Sequence, residues 1–217
     1  MNIKHFDCGY PYIIVDDVYD IDELDLVWRE IDFLMDGDKL DYPEKTGTAY
    51  INNTPTKKNK GVFLHNIYPD NKYSNIFQCN KKIYDNLVDI MSETRSWFFA
   101  SILSNLAVLD HNSTLLSYYD SDDYYKPHFD SSRISMCIWL YKEPKSFDGG
   151  DFILNAKVHT YNLTNDLYPS QTIEVKNNRM IIFPGIIPHG VTPVKMKNEV
   201  KGMGRFTITN FLSTRWK

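Results

Sequence analysis

Two spacings of apolar residues divide the chain. In Ile21, Leu24, Val27, Trp28, Ile31, Leu34 and Met35 they recur every three or four positions, which lines them along one face of an α-helix. Asp20 and Glu23 stand three apart at its start, as a capping box requires, and Gly37 is placed to end it. The same spacing predicts a second helical region through Ile83, Leu87, Ile90, Met91, Trp97, Phe98 and Ile102, whose stripe reads as core. Between the two, residues 38–61 carry Pro43, Gly47, Asn52, Asn53, Pro55 and Gly61, turn formers in a connection long enough to be either a binding loop or a plain surface excursion.

From Ser113 onward the pattern shortens to β-rich runs: Thr114 to Tyr119, Tyr124 to Asp130, Ile134 to Tyr141, Asp151 to Leu154, Thr172 to Val175, Met180 to Pro184, Pro188 to Val194 and Arg205 to Leu212. Asp148-Gly149-Gly150, Asn177-Asn178, Pro184-Gly185 and Gly202-Met203-Gly204 separate them. Helices first and strands afterwards describe an α+β, mainly β fold: a β-sandwich or jelly roll buttressed by helices on one face. No Pro/Gly/Ser-rich linker divides the chain, so 1–217 reads as one domain, with 1–110 as helical and loop support and 111–217 as the β core.

Composition narrows the class. At 217 residues, 42% hydrophobic and 24% charged, the chain is that of an ordinary soluble protein. A chain of this size buries roughly 70% of its extended surface on folding, so a metal need not be structural. Cys8, Cys79 and Cys137 are odd in number and in no CxxC arrangement, as expected of free thiols in a reducing compartment. The N-terminal MNIKHFDCGY lacks the apolar core of a secretory signal, and no apolar run is long enough to span a bilayer. The expectation is a cytoplasmic protein with no membrane partner. A formal charge of −4 offers no general attraction to a phosphate backbone, and the locally basic Lys57, Lys58, Lys60 and the stretch from Lys195 to Lys201 read as solvated loops.

The chemistry is carried by two separated motifs. In Tyr124-Tyr125-Lys126-Pro127-His128-Phe129-Asp130 the histidine and aspartate are two apart, so in an extended strand both point to one face and can share one ion. A third ligand, His189, follows the turn Phe183-Pro184-Gly185-Ile186-Ile187-Pro188. Two histidines and one carboxylate are the ligand set of non-haem Fe(II) oxygenases; it leaves positions open for a chelating 2-oxo acid and for O2. The distal carboxylate of such an acid, buried without a partner, would be costly. Arg205 can pair with it as a fork, Thr207 lies on the same strand face, and Tyr119 can add a phenolic hydrogen bond. His5, His65, His111 and His159 have no spaced partners.

Taken together these residues resemble the 2-oxoglutarate and Fe(II)-dependent dioxygenases, and within them the prolyl 4-hydroxylase-like branch. The resemblance covers roughly residues 113–213: Tyr118-Tyr119, then Tyr125-Lys126-Pro127-His128-Phe129-Asp130, Asp148-Gly149-Gly150-Asp151-Phe152, Phe183-Pro184-Gly185, Pro188-His189-Gly190-Val191, and Arg205. It implies a double-stranded β-helix, iron on the catalytic residues His128, Asp130 and His189, and 2-oxoglutarate on Arg205 and Tyr119. It further implies O2 as co-substrate, ascorbate as reductant, succinate and CO2 as co-products, and a prolyl residue in a peptide or protein as substrate, with Tyr125 and Trp139 bordering it. Two departures stand out. Arg205 replaces the lysine of animal collagen-type enzymes, and the turn Asp120-Ser121-Asp122-Asp123 is acidic where prolyl hydroxylases are glycine-rich. Other readings are the same chemistry on a small molecule, free amino acid or nucleobase, and a non-catalytic metal-binding cupin-like module or zinc site. Nucleic-acid demethylases carry a second arginine soon after the first; here Arg215 is the nearest. A monomer and a homodimer fit the pattern equally.

Overall fold

The computed structural model describes all residues except 49, 52, 93–95, 104–110, 156–168, 199 and 214–217; of 51, 97, 102, 103 and 111 it describes the backbone alone. His159 and Arg215 therefore lie outside the described residues. In chain order the elements are β1 (Asn2–Asp7), β2 (Pro11–Asp16), α1 (Ile21–Asp36), β3 (Tyr50–Ile51), β4 (Thr54–Pro55), β5 (Lys60–Phe63), α2 (Asn75–Asp85), α3 (Leu87–Ser92) and α4 (Trp97–Leu103). There follow β6 (His111–Tyr119), β7 (Tyr125–His128), β8 (Ile134–Leu140), β9 (Phe147–Gly149), β10 (Phe152–Leu154), β11 (Gln171–Ile173), β12 (Arg179–Pro184), β13 (His189–Val191), β14 (Val194–Met196) and β15 (Arg205–Ser213).

The capping box of α1 forms as its spacing predicts. The Asp20 carboxylate accepts from the amides of Asp22 and Glu23, and the Glu23 carboxylate accepts from the Asp20 amide at 2.9 Å. Gly37 follows the helix with φ −77, so the left-handed turn falls on Asp38 (φ 49) instead. The second helical region is broken into α2, α3 and α4. Glu30 ties α1 to α2: its buried carboxylate accepts from the Ser74 hydroxyl at 2.9 Å and the Ile76 amide at 2.8 Å, serving the otherwise unpaired donors of the α2 N-terminus.

A large antiparallel sheet runs β1-β2-β12-β8-β15-β6-β5, and a smaller one β11-β10-β13-β7. The chain passes back and forth between them, β6 in the large sheet, β7 in the small, β8 large, β10 and β11 small, β12 large, β13 small, β15 large. This is a double-stranded β-helix. Alternation along each strand sorts side chains to two cores. Ile134, Met136, Ile138, Leu140, Phe206 and Ile208 pack with Val27, Ile31, Ile76 and Ile83 of the helices. Cys137, Trp139, Phe152, Ile181 and Phe183 meet between the sheets.

Two expectations are corrected. Residues 1–110 are not only helix and loop, because β1, β2 and β5 all belong to the large sheet. The run Pro11–Asp16 is buried at every position between β1 and β12, and a strand buried on both faces has no alternation for a pattern reading to detect. The run from Pro188 to Val194 is not one strand either: β13 pairs with β7 and β10, whereas β14, beyond Pro193, pairs with β9. Among the described residues no helix is long and apolar enough to cross a membrane.

Candidate metal centre and anion pocket

A cavity of about 450 Å³ opens between the sheets and is lined by His128, Asp130, His189, Tyr119, Trp139, Arg205 and Thr207, among others. The first three converge because His128 ends β7 and faces His189, the first residue of β13, directly across the ladder. One ligand atom from each of His128, Asp130 and His189 lies within 4.8 Å of the others. The Asp130 carboxylate is 3.7 Å from His128 Nε2 and 3.3 Å from His189 Nε2.

Neighbouring groups fix these orientations. His128 Nδ1 donates to the Lys126 carbonyl at 3.0 Å and His189 Nδ1 to the Ile187 carbonyl at 2.9 Å, which turns both Nε2 lone pairs toward Asp130. The Ser135 hydroxyl donates to Asp130 Oδ2 at 2.5 Å and is itself 2.8 Å from the Ser132 hydroxyl. The Asp130 amide donates to the Gly185 carbonyl at 3.0 Å. Glycine is required there, since a Cβ would stand 2.2 Å from the Ser132 carbonyl oxygen. Burial pushes His128 down to about 3, and the neighbouring His189 adds to this. Burial opposes charge on Asp130 as well, but His189 and His128 hold it down to about 2. Burial also works against a charged His189, which Asp130 more than offsets to raise it. An ionised carboxylate with two imidazole nitrogens facing it is a donor set suited to a divalent cation.

At the other wall lies a buried cation. Arg205 is 0% exposed; its Nη1 donates to the Thr207 hydroxyl at 2.6 Å, while Nε and Nη2 have no hydrogen-bond partner among the described residues. Its guanidinium carbon is 4.8 Å from the centre of the Tyr119 ring and 5.9 Å from that of Trp139. The strand register explains this grouping, with Tyr119 opposite Arg205 and Trp139 opposite Thr207. Burial lowers the Arg205 pKa, yet a guanidinium stays charged in a protein. Tyr119 is pushed up to about 12 by burial, against the pull of Arg205, and so keeps its proton to donate. Gly150 makes the space: its φ is +68, and a Cβ there would come within 2.9 Å of Arg205 Cδ. Free donors on a desolvated guanidinium fit an incoming carboxylate.

The two residues expected beside the substrate are placed differently from each other. Tyr125 stacks on His128 with ring centres 3.5 Å apart. Trp139 is 0% exposed, its indole N–H has no partner among the described residues, and it lies at the Arg205 end of the cavity. Several lining residues escape a sequence reading. Cys137 is marked only by its parity on β8, and Thr46, Gly47 and Lys57 come from the 38–61 segment. Lys57 corrects the expectation of a solvated loop: it is 3% exposed, its Nζ donates to the Thr46 carbonyl at 3.0 Å, and burial lowers its pKa to about 8.

Residues 114–213 match the model of the 2OG-Fe(II) oxygenase superfamily. No curated protein sequence matches the chain. Among solved structures, a Pseudomonas putida prolyl-4-hydroxylase aligns with a TM-score of 0.59 at 13% identity, over 95% of this chain and 94% of that one. A Trichoplax adhaerens prolyl hydroxylase, solved with a hypoxia inducible factor oxygen degradation domain peptide fragment, aligns with a TM-score of 0.62 at 13% identity, over 94% and 83%. A Burkholderia pseudomallei oxidoreductase of the 2OG-Fe(II) oxygenase family aligns at 0.51 and 15% identity, over 93% and 84%. The chain is thus similar over residues 114–213, just under half of its length, to the 2OG-Fe(II) oxygenase superfamily, and it shares its fold with these solved structures.

Proposed function

We propose that this protein hydroxylates an aliphatic C–H bond of a prolyl residue in a peptide or protein, with Fe(II), 2-oxoglutarate and O2, and with ascorbate as reductant. The observation that carries this reading is the buried guanidinium of Arg205, whose Nε and Nη2 have no hydrogen-bond partner among the described residues, in the same cavity as the His128, Asp130 and His189 cluster. The three ligands would hold the metal. Arg205, with Thr207 and Tyr119, would hold the distal carboxylate of 2-oxoglutarate. When bound, Fe(II) and 2-oxoglutarate supply the oxidising power for hydroxylation, with succinate and CO2 as co-products.

The chain's own contribution is positioning and shielding. Ser135 and the Lys126 and Ile187 carbonyls orient the ligands, while the rings of Phe152 and Phe183, 5.5 and 4.7 Å from that of His189, keep water from its flank. The prolyl assignment is supported by the fold shared with prolyl hydroxylases, one of them solved with a peptide. In the decisive experiment Fe(II)-loaded protein with 2-oxoglutarate and O2 is given proline-containing peptides, free amino acids and alkylated oligonucleotides, and products are read by mass. A gain of one oxygen on a peptide, matched by succinate, is expected. A free amino acid gaining it, or an oligonucleotide losing its alkyl group, would move the substrate class; no 2-oxoglutarate uptake by metal-loaded protein would overturn the reading.

A further inference from the structure

We propose that Lys57 is the recognition residue for the substrate, its ammonium binding a carboxylate carried by the molecule to be hydroxylated. The inference rests on the reading of the cavity as an Fe(II) and 2-oxoglutarate site and adds to it the chemical class of the substrate.

Lys57 is held as a fixed part of the cavity wall. Its backbone forms an antiparallel bridge with Tyr125, flanked by hydrogen bonds from the Lys126 amide to the Thr56 carbonyl at 2.8 Å and from the Lys58 amide to the Tyr124 carbonyl at 3.0 Å. This extends the small sheet beyond β7, the strand that ends in His128. The side chain runs along the Tyr125 ring, with Nζ 5.3 Å from its centre, and Tyr125 in turn stacks on His128. Lys57 thus stands one ring away from a metal ligand, on the wall supplied by the 38–61 segment, whereas Arg205 is carried by β15.

Its partners do not account for its burial. Among the described residues Nζ has the Thr46 carbonyl as acceptor, and no carboxylate lies within 4.0 Å of it. A buried ammonium with donors to spare is costly unless an anion reaches it. Formal charges point the same way. Fe(II) and 2-oxoglutarate carry equal and opposite charges, and the carboxylate that acts on Lys57, Asp130, lies beyond 4.0 Å of Nζ and faces the two histidines, so the positive charge of Lys57 has no direct counter-ion among the described residues. A substrate carboxylate would balance it. That carboxylate has two sources in a proline-containing substrate, the chain terminus or a neighbouring acidic side chain.

Calorimetric titration of the protein loaded with Fe(II) and 2-oxoglutarate, without oxygen, tests this with two matched pairs. One is glycyl-proline against glycyl-prolinamide; the other is N-acetyl-Pro-Asp-amide against N-acetyl-Pro-Asn-amide. In the wild type one carboxylate member should bind roughly tenfold or more tightly than its amide, and the pair that discriminates identifies the source. Lys57→Met should bring that ratio to within about twofold, and Lys57→Arg should keep most of it. If Lys57→Met does not fold, Lys57→Gln takes its place. The proposal fails if the wild type prefers neither carboxylate, or if the uncharged variants keep the preference. It also fails if those variants weaken 2-oxoglutarate instead, which would put Lys57 in the cofactor site. Failure of the underlying reading is distinguishable, because the loading titration would then show no 2-oxoglutarate uptake before any substrate is added.

Discussion

Arg205 has more donors than partners, and in a buried guanidinium that mismatch is informative. Arg205→Ala removes the charge-assisted hydrogen bonds to an anion and should weaken 2-oxoglutarate binding on the order of a hundredfold, measured calorimetrically on metal-loaded protein. A change within a few-fold would displace the anchor. Ser135 acts on the other end of the cavity through Asp130. Ser135→Ala should lower Fe(II) affinity roughly tenfold, read by metal titration, with the circular dichroism spectrum unchanged. At this scale the sequence is most legible where function needs close spacing. His128 and Asp130 declare themselves by being two apart on a strand, and Arg205 and Thr207 do so again. Lys57 does not. It sits in a lysine-rich run that looks solvated, and only its bridge to Tyr125 makes it a wall of the cavity.

The elements show the same division. α1 is readable from end to end because its information is local: an apolar stripe, a capping box, a terminating glycine. Asp20→Ala removes the acceptor for two first-turn amides and should cost about 1 kcal/mol, a fall of about 3 °C in the melting temperature. The strands from β6 to β15 are legible as runs between breakers, yet their sheet membership is not. β2 illustrates why. Its apolar residues are continuous since it is covered on both faces, and it earns its place through β12, more than 160 positions away, with Arg179 clasping Asp16 across the pair. The splitting of β13 from β14 is likewise decided by which neighbours each meets.

For the whole molecule, that clasp sets part of the response to acid. Hydrogen bonds from Arg179, against the effect of burial, hold the Asp16 carboxyl below its ordinary value of 3.8. As pH falls the unfolded chain therefore takes up the proton first, so the stabilisation is present above 3.8 and is lost below it as the folded pKa is approached. Asp16→Asn should be less stable at neutral pH and should lose less on acidification below about pH 4, as followed by denaturant melts across pH. Metal removal should have a different signature. The two hydrophobic cores pack without the ligand cluster, so a chelator should abolish turnover yet leave the far-ultraviolet spectrum intact, with the melting temperature lowered only by the lost binding linkage. By itself the sequence determined the helices, the strand-rich second half and the pairs His128/Asp130 and Arg205/Thr207 that meet in one cavity, because each rests on residues a few positions apart. Tertiary structure decided the N-terminal strands of the large sheet, the burial of Trp139 beside Arg205 and the capture of Lys57 by β7. Those depend on pairing and burial between segments far apart in the chain, for which a local period carries no signal.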